Sequence, residues 1–403
     1  MTLRTRITIG LVWFFTMGGL GSFFPFFSMY LLENGQLSGS QIGMVLALLP
    51  TVGLASQPFW GQIADRSGSR TRVLAILGVG ASLGYLGLGQ AETFADFLLG
   101  VGFLAFFAPA ILPTCVAVTL AVVRDAGPHG FGLSRVWGTV GFFVIVVSFP
   151  YALDAWQALQ GLVAAPGGPS EPGLELLFPI TATSTAIGAA LALALPSGGA
   201  VALRAERGAW RLLLHNTAFL RVVLFAFVGF LFLQGPMAMF SVFVRAEGGS
   251  LDSVSQMWIL MLVLEVPLVA GLGVGLERIG PRGLLATGVF AGGIRWVVSG
   301  FSADLDLITG ISILHGVMVA GLVMGGPMYV ERVVPERLRN TAQGVFAMIG
   351  FSLGGILSNL CAGWLLEHYG AEMPYRVGGI GALVLCSLVL VILPRAIRRG
   401  PSD

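Results

Sequence analysis

Residues 61–70 read GQIADRSGSR and residues 273–282 read GVGLERIGPR. Both follow the pattern G-x-x-x-[DE]-R-x-G-x-R. Gly61, Asp65, Arg66, Gly68 and Arg70 thus match Gly273, Glu277, Arg278, Gly280 and Arg282, each pair 212 positions apart (273 minus 61). Each string separates two long apolar runs, so one unit occurs twice in the chain. The residue types suit a tight turn between helices. Gly61 leaves room for close helix approach, and Gly68 lets the chain reverse. A carboxylate near a helix N-terminus is favoured by the dipole, and the arginines are placed to clamp a neighbouring helix end. Such contacts suit a gate that closes one side in one state and breaks in another. The plainer alternative is a pair of turns that only set topology.

Outward from the two strings, the apolar runs number twelve: 9–32, 40–63, 72–90, 95–122, 132–153, 175–195, 218–244, 254–276, 283–301, 307–330, 341–366 and 376–394. Each approaches the ~20 residues that a helix needs to cross a bilayer. Backbone polar groups in lipid must be satisfied internally, so the runs are predicted as helices. A barrel would instead show short alternating segments. Composition agrees. The 403 residues are 56% hydrophobic and only 10% charged, against roughly a quarter charged in soluble proteins, which excludes a soluble enzyme. A net charge of +2 without a basic stripe excludes a nucleic-acid partner. Cys115, Cys361 and Cys386 lie scattered in apolar runs, and no metal-ligand cluster is present.

All 22 basic residues are arginine. With the N-terminus cytoplasmic, 18 of the 22 fall at inner loops and helix ends, including Arg4, Arg6, Arg66, Arg278, Arg332 and Arg398. Arg245 and Arg376 fall outside, Arg295 lies within an apolar run, and Arg135 stands near a helix start. This positive-inside bias predicts an even number of spans with both termini cytoplasmic. The run beginning near Ile9 is too long for a signal-peptide core and is predicted as an uncleaved helix. The polar connection 197–217 divides the chain into 1–196 and 218–396, followed by the cytoplasmic tail 397–403. The other long connection, 154–174, holds PGGPSEPG and is predicted as an irregular loop.

Ionisable groups inside membrane helices are functional candidates by default. Glu265, Arg295 and His315 occupy the eighth, ninth and tenth runs. At ~1.5 Å per residue they lie roughly 16, 9 and 13 Å from the outer helix ends, near one level. Glu265 and Arg295 are natural partners, and removing one would strand the other at a cost of about 3–5 kcal/mol. A carboxylate that alternates between Arg295 and a drier pocket changes its proton affinity with protein state, as coupling requires. His315, near neutrality in its intrinsic titration, can relay or orient. The bland alternative is a static ion pair beside a core histidine. Gln57, Thr114, Gln234 and Asn359 either line a cavity or bond between helices. Phe27, in the Phe-rich stretch around Pro25, either stacks on a ligand or packs.

The twelve runs, the central connection and both loop motifs resemble the major facilitator superfamily over essentially the whole chain. The strings LEVPL, IRWVVSG, LHGVMVAG, FGLSRVWGTVGF and FFPFFSMYL are similar to the branch of proton symporters that contains the lactose and phenylpropionate permeases. The resemblance implies an all-α membrane fold of two pseudo-symmetric six-helix bundles with alternating access. It implies proton-coupled uptake of a small organic solute: an aromatic carboxylate, a sugar or a nucleoside. It carries proton coupling onto Glu265, Arg295 and His315, and substrate binding onto Arg135 and Phe142, with Gln234, Asn359 and Phe27 as further contacts. Two features depart from the lactose-permease pattern, one in proton release and one in sugar binding. Met318 stands where a second carboxylate would follow the histidine, and 114–123 reads TCVAVTLAVV, without an acid. Coupling therefore falls on Glu265 alone, and Arg135 suits an anionic substrate.

The expected surroundings are the plasma (inner) membrane of a bacterium, with a monomer partnered by its solute and the bilayer. Protons serve as coupling ion, with no organic cofactor and no metal. A chain without lysine has no Walker phosphate loop, and no nucleophile–base pair marks an enzyme. The alternatives are a drug or metabolite exporter, though 138–150 lacks the G-P-x-x-G-G of antiporters, and a ligand-binding sensor without net flux.

Overall fold

A computed structural model describes residues 2–123, 130–164, 168–196 and 210–393. The helices in the first part of the chain are α1 (Leu3–Phe23), α2 (Phe27–Glu33), α3 (Gly39–Arg66), α4 (Arg70–Leu88), α5 (Phe94–Val122), α6 (Gly130–Gln160) and α7 (Leu177–Ala192). Those that follow are α8 (Trp210–Leu213), α9 (Thr217–Ala238), α10 (Phe240–Ala246), α11 (Leu251–Ala270), α12 (Leu272–Phe301), α13 (Leu305–Ile311), α14 (Leu314–Met318), α15 (Gly325–Val333), α16 (Arg339–Phe346), α17 (Gly354–Tyr369), α18 (Met373–Ser387) and α19 (Val389–Ile392). Among the described residues there is no strand, and eleven helical stretches are long and apolar enough to cross a membrane. The twelfth predicted run, 376–394, is α18 and α19, interrupted at Leu388 (φ −90°, ψ 1°).

Chain contacts divide the protein into two units. The first comprises Met1–Ala202 with Phe240–Arg245 and Ser250–Ser255, and the second comprises Leu203–Met239, Ala246–Gly249 and Gln256–Asp403. In the first unit α1 packs on α6 and α7, and α5 packs on α3 and α4. The α1–α6 crossing is close: a Cβ on Gly141 would lie 2.1 Å from the Phe14 carbonyl oxygen. Small residues at such crossings replace the hydrophobic driving force that lipid removes. An aromatic cluster fills the core beside α2. Phe23 and Phe27 stack at 4.3 Å, Phe23 meets Tyr85 at 4.9 Å, and Tyr30 meets Phe178 at 4.8 Å. Such pairs contribute ~0.5–1.5 kcal/mol each.

The same unit carries an ion network that links α2, the 168–173 loop and α10. Arg245 donates to Glu33 at 2.9 Å and to Glu171 at 3.0 Å. Ser170 donates its backbone N–H to the second Glu33 oxygen at 3.0 Å. Sequence reading placed Arg245 only by side and missed this network.

In the second unit α12 packs on α18, and α9 packs on α17 and α18. Two segments adopt the wider π-helical turn, Val319–Met324 and Ala347–Leu353. Gly321 in the first of these faces Gly288 on α12, where a Cβ would come within 2.4 Å of the Gly288 Cα.

Three features depart from the sequence expectation. The first run is split: α1 ends at Phe23, Phe24–Phe26 turn, and α2 begins at Phe27. Pro25, lacking an N–H, explains the break. The run at 218–244 is split likewise at Met239, three residues after Pro236. Thirdly, α6 continues to Gln160 and ends at Gly161 (φ 65°). The opening third of the predicted 154–174 loop is therefore helix, because DAWQALQ has good helix formers before the first glycine. Arg124, most of the 197–217 connection and the 397–403 tail lie outside the described residues.

Candidate functional site

Arg295 projects from α12 and is fully buried (0% exposed). It lies seven residues, two helical turns, beyond Gly288. The Gly288–Gly321 approach therefore draws its face of α12 against the chain that carries His315. Arg295 Nη1 donates to His315 Nδ1 at 3.1 Å and to Met237 Sδ at 3.4 Å, and Nη2 donates to Met261 Sδ at 3.6 Å. Its Cζ stands 4.0 Å from the centroid of the Trp296 ring. Two polarizable sulfurs and a ring face thus surround a charge far from water.

A guanidinium carries only donors, so the His315 nitrogen it meets must hold a lone pair. The imidazole is then neutral, with its proton on Nε2. Trp258 packs edge-on against that ring at 6.1 Å. His315 lies in α14, immediately before the π-helical segment. Such wide turns shift side-chain register by one residue and concentrate at functional sites.

Glu265, half-buried on α11, belongs to the same neighbourhood. A Cβ on Gly316, next to His315, would lie 2.7 Å from the Glu265 backbone nitrogen. The backbones of α11 and α14 therefore touch at the level of both residues.

The split of the 218–244 run supports this cluster from behind. Helix interruption frees carbonyls that lipid cannot satisfy. Here Trp296 Nε1 donates to the Leu233 oxygen at 3.3 Å, and the Tyr375 hydroxyl donates to the Pro236 oxygen at 2.7 Å. Trp296 and Tyr375 meet edge to face at 5.1 Å. Met237, Met261, Trp258, Trp296 and Tyr375 were not singled out from the sequence. The proline in the run and the tryptophan beside Arg295 were the available signals.

Gln234 and Asn359 lie on facing helices, α9 and α17. A Cβ on Gly355 would lie 2.7 Å from the Gln234 amide, and Asn359 stands one turn beyond Gly355. Ser358 Oγ accepts from the Gly235 N–H at 2.6 Å. Gln234 Oε1 and Asn359 Oδ1 are buried with no hydrogen-bond partner among the described residues. They form a strip of amide acceptors. Thr114 is different, its hydroxyl turned back to the Ala110 carbonyl at 2.7 Å, and Gln57 is exposed.

In the first unit, Arg135 is half-buried on α6, its Cζ 5.9 Å from the Trp13 ring centroid. Trp13 is held by a 2.9 Å bond from Nε1 to Thr119 Oγ1. Phe142, two turns along the same face, is half-buried, and its carbonyl oxygen would lie 2.6 Å from a Cβ on Gly21. Phe27 is 2% exposed, within the aromatic cluster beside α2.

The second glycine of the repeated motif has a left-handed φ in both copies. Gly68 has φ 66° and Gly280 has φ 69°. Gly280, at ψ 171°, interrupts the otherwise continuous α12. Arg70, the first residue of α4, pairs with Asp65 at 2.8 Å. Arg282 donates to the Val389 oxygen at 3.2 Å, reaching α19. Glu277 and Arg278 are exposed.

Two details correct the sequence reading. Asp65 lies in the last turn of α3, where the helix dipole disfavours an anion, so its stabilisation comes from Arg70. Gly61 has no neighbour within 4 Å of a built Cβ, so it mediates no close approach among the described residues. Gly273 sits inside α12, and the chain reverses at Gly280.

Comparison with known proteins adds the following. The model of the MFS_1-like family matches residues 6–377. A maltose permease of Geobacillus stearothermophilus is 25% identical over 390 residues, covering 96% of this chain and 94% of that protein. A probable 3-phenylpropionic acid transporter of Escherichia coli (strain K12) is 24% identical over 388 residues, covering 92% and 93%. The crystal structure of nucleoside transporter NupG superposes with a TM-score of 0.81 at 18% identity, over 96% of this chain and 98% of that one.

Proposed function

Because the chain belongs to the MFS_1-like family of major facilitator transporters, we propose that this multi-pass membrane transporter is a proton-coupled symporter that takes up a small organic solute by alternating access. The observation that supports this most is the contact of buried Arg295 with a neutral His315, beside the backbone of Glu265. Glu265 takes the proton. While it is ionised, Arg295 is drawn between carboxylate and imidazole. When it is protonated, Arg295 falls back onto His315 Nδ1 and the two methionine sulfurs. Binding and conformational change are tied through that exchange, since a solute shifts the equilibrium only by its differential affinity for the two states.

The solute class is an aromatic carboxylate, a sugar or a nucleoside. The relatives' names span maltose and 3-phenylpropionic acid, and that of the structural neighbour a nucleoside. In this reading Arg135 meets an anionic or polar group, Phe142 meets a ring, and Gln234 and Asn359 accept from hydroxyl or N–H donors. Phe27 serves by holding the aromatic core. The motif turns around Asp65–Arg70 and Glu277–Arg282 close the cytoplasmic side. The protein works as a monomer in the bacterial plasma membrane with both termini cytoplasmic, needs no metal or organic cofactor, and carries out no covalent chemistry.

The test is uptake into proteoliposomes under an imposed inward proton gradient, with radiolabelled maltose, 3-phenylpropionate and uridine as probes. The expected result is accumulation of one probe above equilibrium, abolished by a protonophore. Equilibration of that probe without accumulation at any gradient would remove proton coupling, and efflux of hydrophobic dyes in its place would make the protein an exporter.

A further inference from the structure

Between the first turns of α1 and α6, wholly inside the first unit, runs an open groove of about 720 Å³. That volume lies within the ~300–1,000 Å³ of small-molecule sites. Its walls include Ile7, Leu11, Leu133 and Trp137, and at Gly10 a Cβ would lie 3.0 Å from the edge of the Trp137 ring. Leu3, Ile7, Leu133 and Trp137 are each more than half exposed. Among the described residues, the polar groups on the wall are Arg6, the Ser134 hydroxyl and the Trp137 indole N–H. The Ser134 hydroxyl is committed to the Gly130 carbonyl at 3.0 Å. Arg6 is therefore the one charged side chain on the wall among the described residues.

A soluble solute needs several converging polar groups to be oriented, and among the described residues the wall offers one charge and the indole N–H of Trp137. An amphiphile needs only an anchor for its head and an apolar track for its tail. The track begins at the helix end carrying Arg6 and Leu3. From Leu3 to Leu11 it runs ~12 Å along α1, from the membrane surface inward. A basic residue at the mouth of an apolar cleft between membrane helices complements an anionic lipid headgroup.

We propose that this groove seats one anionic phospholipid, its phosphate on Arg6 and an acyl chain along Ile7, Leu11, Leu133 and Trp137. The site shares no residue with the coupling cluster, and it makes α1 and α6, the helix that carries Arg135, responsive to the headgroup composition of the bilayer.

The test uses the purified full-length chain in detergent. It is titrated with dioctanoyl phosphatidylglycerol, dioctanoyl phosphatidylcholine or inorganic phosphate, and read by native mass spectrometry and thermal midpoint. The expected result is one phosphatidylglycerol retained in preference to phosphatidylcholine, with no effect of phosphate. Arg6→Gln should weaken phosphatidylglycerol about fivefold, the equivalent of the ~1 kcal/mol that one basic residue contributes at an anionic surface. Arg4→Gln, exposed in the same turn but off the groove wall, should leave binding intact. Leu11→Trp, which fills the track, should lose both lipids while the thermal midpoint without lipid confirms folding. Equal loss in Arg4→Gln and Arg6→Gln would mean general surface charge and overturn the proposal. So would equal retention of the two lipids, an unaltered Arg6→Gln, or a phosphate effect matching that of the lipid.

Discussion

Arg295 Nη1 lies 3.1 Å from His315 Nδ1. Guanidinium is a permanent cation in proteins and has no acceptor. The contact therefore fixes the histidine as the neutral tautomer with its lone pair toward the arginine. A second proton on Nδ1 would set two cations against each other at the same spot. The histidine is thus poorly placed to carry charge while the contact stands and well placed to anchor the arginine, which is why the proposed coupling puts the proton on Glu265.

The first consequence concerns Glu265→Gln. The amide keeps the shape of a protonated carboxyl and cannot ionise. Exchange of labelled for unlabelled solute should persist near the wild-type rate, while gradient-driven accumulation should fall to the equilibrium level. Counterflow and uphill uptake measured on the same proteoliposomes separate the two. Full accumulation in the variant would remove Glu265 from coupling.

The tautomer makes a second prediction, which turns on side-chain length. In His315→Asn the amide oxygen falls near the position of Nδ1 and can accept from Arg295. In His315→Gln the oxygen falls near Nε2 and cannot. Asn should retain most of the wild-type thermal stability. Gln should lose more, toward the ~3–5 kcal/mol of breaking a buried charged contact. The reverse order in thermal unfolding would show that the contact runs through Nε2.

Much of this was legible before any coordinates. Apolar run length is set by bilayer thickness, so twelve spans could be counted; eleven are long and apolar enough among the described residues, and the twelfth is interrupted at Leu388. The recurrence of Asp65–Arg70 as Glu277–Arg282 exposed the repeat because loop turns between membrane helices tolerate few residue types. Glu265, Arg295 and His315 could be set near one level by depth alone, but the pairing read there was Glu265 with Arg295, and the contact of Arg295 with His315 was not foreseen. The setting of Arg295 was not legible. Methionine and tryptophan are ordinary residues in an apolar run, and nothing in their spacing shows that Met237 and Met261 will meet one guanidinium from different helices. Packing was one of the two readings open for Phe27, but the sequence did not show which rings it would meet, or that Glu33 and Glu171 converge on Arg245. Such contacts depend on tertiary approach across long separations.

The motif glycines give a third prediction. Gly68 and Gly280 hold φ of 66° and 69°, a region costing an L side chain ~1–3 kcal/mol. Gly280, at ψ 171°, lies where essentially only glycine is found. Gly68→Ala and Gly280→Ala should each lower the thermal midpoint, Gly280→Ala at least as much. Gly61→Ala is the control: it is helical with nothing within 4 Å of the new methyl. It should be neutral or more stable by up to ~1 kcal/mol. Equal loss in all three variants would show that the turn conformation is not what the motif glycines supply.

Arg135 yields a fourth. Its Cζ is 5.9 Å from the Trp13 ring centroid, a distance at which a partly exposed cation–π contact contributes ~0.5–1 kcal/mol. Arg135→Ala should therefore cost little stability. If Arg135 meets the solute, the same change should raise the apparent Kd at least about tenfold, the ~1.5–3 kcal/mol of a hydrogen bond to a charged group. Isothermal titration with whichever probe is accumulated decides this, and unchanged affinity would confine Arg135 to its contact with Trp13.

The backbone contact beside His315 gives the last prediction, and it separates geometry from charge. A methyl at Gly316 would lie 2.7 Å from the Glu265 nitrogen and 2.9 Å from its Cα. Backbone cannot swing aside as a side-chain tip can, so Gly316→Ala must push α11 and α14 apart. No ionisable group is added or removed. If coupling depends on how closely Glu265 approaches Arg295 and His315, this variant should resemble Glu265→Gln, with exchange kept and accumulation lost, although its carboxylate is intact. Gly310→Ala, with nothing within 4 Å of the added carbon, should leave both activities unchanged. Normal accumulation in a folded Gly316→Ala protein would show that Glu265 acts without this close approach, and the exchange of Arg295 between carboxylate and imidazole would have to be abandoned.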